Sequence, residues 1–91
     1  MKTNITIEYS SGEVATYVAA APEWIKWERK TGYKIQEAES KLGMDDICFL
    51  AYNAMKREAA GTPVKPYDVW IETISEVTTA NADPKAIPSE A

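Results

Sequence analysis

The side chains in this sequence that could make or break bonds are few. Asp45 and Asp46 are adjacent carboxylates, Cys48 is the only cysteine, and histidine is absent from all 91 residues. A Ser-His-Asp or Cys-His nucleophile system therefore cannot be assembled within the chain. A Cys/His zinc site is excluded on the same count, and one cysteine cannot form an internal disulfide. Two neighbouring carboxylates would need convergent partners to hold a metal, and no nearby spacing supplies a calcium loop. Their position before an apolar run is that of helix caps. Cys48 lies within that run and reads as a buried, inert thiol rather than a reactive one. The four glycines are scattered and form no phosphate-binding loop. No catalytic, cofactor-binding or metal-ligating residue is assigned. The chain is read as a binding protein and not an enzyme, with carboxylate-only or metal–carboxylate catalysis formally open.

Adhesion is the chemistry that remains. Trp24, Ile25 and Trp27 lie at about 0°, 100° and 300° around a helix at roughly 100° per residue, an arc of about 160°, so they cannot all face one core. Either most of this aromatic area is core, or one of the three is exposed and marks a contact surface. Glu23, Lys26, Glu28, Arg29 and Lys30 surround them as a mixed-charge face of the kind normally solvated.

These residues need elements to position them. Residues 4–18 alternate, with Ile5, Ile7 and Tyr9 on one side, a break at Ser10-Ser11-Gly12-Glu13, and Val14, Thr16 and Val18 after it. That is a β-hairpin. A Ser11-Gly12 loop would place Tyr9 opposite Val14, Ile7 opposite Thr16 and Ile5 opposite Val18. The outward face would then carry Thr6, Glu8, Ala15 and Tyr17, with an edge that another strand could join. Pro22 suits the first turn of a helix that ends near Thr31, with Gly32 as its stop. Ile35, Ala38 and Leu42 give a short second helix before Gly43. Ile47, Leu50, Ala51, Ala54 and Met55 follow the spacing of a central helix over residues 45–60. Tyr67, Trp70, Ile71, Ile74 and Val77 form the stripe of a last helix from Pro66 to Val77.

The expected fold is therefore α+β, an N-terminal β-hairpin packed on a small bundle of three to four helices. Residues 1–77 form a single globular domain. Residues 78–91 read as a disordered, flexible C-terminal tail, since two prolines and one large aliphatic residue cannot offset the entropy of ordering it. At this length a domain buries roughly 60–65% of its unfolded surface. The composition, 45% apolar and 26% charged, is that of a globular chain rather than a disordered one. Ten basic residues against fourteen acidic ones give a net charge of −4, which disfavours a nucleic-acid partner. No run approaches the roughly 20 apolar residues of a membrane span, and the N-terminus has no signal-peptide core. No membrane partner and a cytoplasmic location are expected.

The order of segments resembles the small tail assembly chaperones of long-tailed, siphovirus-like bacteriophages. The strand pair ITIEYSSGEVATYV is followed by a helix with WERKTG, then the apolar helix DDICFLAYNAMKREAAG, then PYDVWIETISEV; together the likeness covers about residues 5–77. It implies a non-enzymatic protein that binds and solubilises the tape measure protein. It also implies a role in recruiting tail tube protein during tail assembly in the host cytoplasm, and absence from the mature virion. No cofactor is implied, and a homo-oligomer is possible in such a system. In the matched segments Trp24, Trp27, Arg29 and Tyr52 are the candidate partner-binding residues. The alternative is a small structural phage protein, a head–tail connector or tail component, retained in the particle.

Overall fold

The computed structural model describes residues 2–81. Eight elements follow in order: β1 (Thr3–Tyr9), β2 (Val14–Ala19), α1 (Ala21–Thr31), a 3-10 turn (Ile35–Glu37), α2 (Ala38–Lys41), α3 (Met44–Ala59), α4 (Tyr67–Ile71) and β3 (Ile74–Asn81). The fold is α+β, as expected, but the sheet has three antiparallel strands in the order β2-β1-β3. β1 is thus central, and Ile5 and Ile7 on its inner face are fully buried. Burial of each such side chain is worth about 1.5–3 kcal/mol.

The hairpin forms one residue out of the expected register. Thr6 pairs with Thr16, Ile7 with Ala15 and Ile5 with Tyr17. The cause is the turn. Tyr9 N–H donates to the Glu13 carbonyl at 2.8 Å, and Gly12 N–H donates back to the Tyr9 carbonyl at 2.9 Å. The loop therefore has three residues, Ser10 to Gly12, and ends on Gly12 at φ +97°, the left-handed position such loops require. A one-residue shift exchanges the two faces of a strand. Ala19 is accordingly fully buried and Tyr17 packs against the core, while Val14 is left 63% exposed.

The last helix is also shorter than its apolar spacing suggests. α4 stops at Ile71, and Thr73 Oγ1 caps the Trp70 carbonyl at 2.6 Å. Ile74 and Val77 then enter β3, which pairs with β1 along its length. Spacings of three and four residues fit a helical stripe, but the β-branched run Val77-Thr78-Thr79 fits a strand better. The domain boundary read at Val77 consequently falls inside β3, which continues through Asn81. The remainder of the expected tail, residues 82–91, lies outside the described residues.

The other helices form where local signals place them. Pro22 opens α1, and Gly32 closes it at φ +82° with its N–H on the Glu28 carbonyl at 2.8 Å. α3, the longest helix, packs across β2 and against α1. Its buried face, including Cys48, Leu50, Ala51 and Tyr52, meets Trp24, Trp27 and Trp70 in one core.

Candidate binding surface

α1 is anchored before it can present anything. Glu23 is 0% exposed, unlike the solvated charge its helix suggests. Its Oε1 accepts the Ala20 N–H at 2.9 Å, closing the helix N-terminus. Arg57 of α3 grips it with two bonds, Nε to Oε2 at 2.8 Å and Nη2 to Oε1 at 2.7 Å. Burial pushes this carboxyl upward, but the bonds from Arg57 and the Ala20 N–H outweigh it, and the group sits below the ordinary glutamate range. Arg57 Nη2 also reaches the Val18 carbonyl of β2 at 3.3 Å. One ion pair thus ties α1, α3 and the sheet together.

The candidate contact residues divide on burial. Trp24 and Trp27 are buried, their rings edge to face at 5.6 Å between centroids. Trp27 Nε1 donates to Asp46 at 3.1 Å, whereas the buried Trp24 Nε1 finds no partner among the described residues. Tyr52 is buried too, its hydroxyl on the Lys65 carbonyl and its ring 5.3 Å from those of Tyr67 and Trp70. These three side chains build the core and are not free to meet a partner. Arg29 is exposed. Of Trp24, Ile25 and Trp27, the exposed one is Ile25, at 49%.

Asp45 and Asp46 serve the fold. Asp46 accepts the Gly43 N–H at 2.8 Å, the side-chain half of a capping box. Asp45 accepts the Tyr67 hydroxyl at 2.7 Å and lies 3.5 Å from Lys30 Nζ. The Tyr67 bond, with Lys30 behind it, lowers the Asp45 carboxyl, and burial together with Asp45 raises the Tyr67 phenol. Cys48 is buried, and burial first and Asp45 second push its thiol up, away from reactivity. Among the described residues no group of three or more Cys, Asp or Glu is placed to hold a metal ion. Nor is any described helix long and apolar enough to cross a membrane.

The described residues also form concave surfaces. The larger, about 790 Å³, opens between the hairpin tip and the loop Pro63–Lys65. Tyr9, Tyr17, Met55, Val64 and Trp70 line it, with Glu13, Glu72 and Lys65 among its charged groups. Trp70 Nε1 donates to the Tyr9 hydroxyl at 3.1 Å, and the Tyr9 and Tyr17 hydroxyls share a bond of 2.9 Å. The aromatic rings are thereby fixed, while Met55 supplies an adaptable side chain. Burial, then Tyr9, raises the Tyr17 phenol, which stays neutral at physiological pH. The smaller groove, about 470 Å³, lies between α3, α4 and β3.

None of the residues lining the larger cleft was a sequence candidate. Its aromatics lie on three separate elements, and the shifted hairpin register is what turns Tyr17 inward. The available signal was the proline pair of Thr62-Pro63-Val64-Lys65-Pro66, which marks a stiff loop next to an apolar helix end. Comparison with protein-family models, with curated proteins and with solved structures finds no match to this chain.

Proposed function

We propose that this chain is a non-enzymatic chaperone of phage tail assembly, whose client is a helical, apolar segment of the tape measure protein. The observation that carries this reading is the open cleft over Tyr9, Tyr17, Met55, Val64 and Trp70. An amphipathic client helix would lay its apolar stripe there, as helices do in grooves elsewhere. Glu13 and Glu72 at the cleft, and the net charge of −4, favour basic residues flanking that stripe. The order of the segments ITIEYSSGEVATYV, WERKTG, DDICFLAYNAMKREAAG and PYDVWIETISEV supports the same family of roles. A single cleft of this size gives modest affinity, and several copies along one long client would supply the grip. On this reading the chain acts in the host cytoplasm, helps bring tail tube protein to the client, and leaves before the particle is finished.

The test is co-expression with the tape measure protein. The client should become soluble and co-purify with this chain, and Met55→Glu or Val64→Glu should abolish that effect while leaving the fold intact by circular dichroism. A client equally insoluble with and without this chain contradicts the proposal.

A further inference from the structure

The two edges of the sheet are unequal. Tyr9 N–H bonds to Glu13, so by alternation Ile5 and Ile7 turn their main-chain groups to β2, while Thr6 and Glu8 turn theirs to β3. On β3, Glu76 and Thr78 therefore bond inward to Glu8 and Thr6. Val77 and Thr79 consequently aim their N–H and C=O groups at the outer edge. On the opposite edge of the sheet, Arg57 already occupies the Val18 carbonyl. Among the described residues, β3 carries no lysine and no proline, and past Glu76 it has no charge from Val77 to Asn81. Thr78, Thr79 and Ala80 are exposed. The same strand also borders an incompletely covered groove, about 470 Å³, lined by Met44, Ile71, Ile74 and Val77.

We propose that two copies of this chain pair through β3 into a six-stranded antiparallel sheet, a closed two-fold dimer with Thr78 at its axis. Charge and strand length together select this register: centres nearer Glu76 bring its carboxylates together, and centres beyond Thr78 pair fewer residues of β3. With Thr78 facing its own copy, each Glu76 lies opposite Ala80. The two Glu76 carboxylates are then four residues apart along the strands, roughly 13 Å. That exceeds the Debye length of about 8 Å at physiological salt. A register centred on Glu76 would set the carboxylates face to face, and one centred on Val77 would halve their separation. Val77 of each copy then pairs with Thr79 of the other, exchanging the main-chain bonds that the free edge lacks. The added strand closes the open side of the groove. Arg57 of α3, seated on the Val18 carbonyl of β2, opposes the head-to-tail alternative, β3 on β2, which would propagate a filament. This pairing leaves the larger cleft open and does not depend on what that cleft binds.

The experiment is the solution mass of the full chain by light scattering across a concentration series. The expected value is twice the 10.1 kDa of one chain. Thr79→Pro removes an N–H that only the dimer uses, and should give a folded monomer. Thr78→Lys and Thr78→Glu should each shift the protein toward monomer, and mixing them in equal amounts should restore a mixed dimer. Amides of Val77 and Thr79 should also exchange more slowly as wild-type concentration rises. A wild-type chain that stays monomeric overturns the proposal and leaves the edge to a different partner. So does a dimer that survives the Thr78 substitutions, or a mixture that fails to pair. Should Thr79→Pro not fold, the Thr78 set and the wild-type exchange decide.

Discussion

Single residues in this chain separate by whether their polar atoms are answered. Trp24 and Trp27 lie three positions apart on α1 and are both buried, yet Trp27 has Asp46 as acceptor and the Trp24 ring nitrogen has none among the described residues. A buried, unanswered N–H is a standing cost, while an answered one is lost on substitution. Trp27→Phe should therefore destabilise the fold by about 1 kcal/mol or more beyond Trp24→Phe. Urea unfolding of the two variants, compared through their midpoints, measures the difference. Truncation to alanine at Trp27 should cost about 3–5 kcal/mol, as for other large core side chains. The composition made adhesion rather than bond-making the expected role, but it did not show which aromatics would be buried. Trp24, Trp27 and Tyr52 attract attention as aromatics in polar surroundings, and a small domain uses such residues first to fill its core. The pairing of Glu23 with Arg57, 34 positions away, leaves no local trace at all, so Glu23 reads as one more surface charge.

At the level of elements, whatever is decided within a few residues was readable. Pro22 and Gly32 mark the ends of α1, and the apolar spacing and Gly61 mark α3. What depends on a distant neighbour was not. Ser11-Gly12 is compatible with a loop of two residues or of three, and the choice sets the register of the entire hairpin. Gly12 makes that choice enforceable, because φ +97° there admits few residues other than glycine. No heavy atom lies within 4 Å of an added Cβ, so the penalty is one of backbone alone. Gly12→Ala should lower stability by about 1–2 kcal/mol, with Gly12→Asn losing less. Thermal unfolding of both variants checks this. β3 was missed for a related reason. Trp70, Ile71, Ile74 and Val77 satisfy a helical stripe, and only the vacant second edge of β1 tells the chain to extend instead.

The whole molecule is a small sheet with one face covered by helices, tied together by the ion pair of the buried Glu23 with the exposed Arg57. Its response to acid follows from that. The Glu23 and Asp45 carboxyls sit below their ordinary values when folded. As pH falls, the unfolded chain takes up these protons before the folded one does. The stabilising contribution is therefore complete above the ordinary carboxylate range and is lost as pH drops through the lowered folded values. Melting temperature should be flat near neutrality and fall on acidification, and Glu23→Gln should start lower and fall less steeply. Scanning calorimetry across a pH series reads both slopes. The same rigid frame is what allows the cleft over Tyr9, Tyr17 and Trp70 to act as a preformed surface.

Amide shift mapping reads directly whether this cleft takes up a client helix. A peptide carrying an apolar helical stripe of the tape measure protein, titrated into the labelled chain, should move the signals of Tyr9, Tyr17, Met55, Val64 and Trp70 together and saturably. Signals that stay still there, or that move only on the far face of the sheet around Thr6 and Thr16, would contradict that uptake.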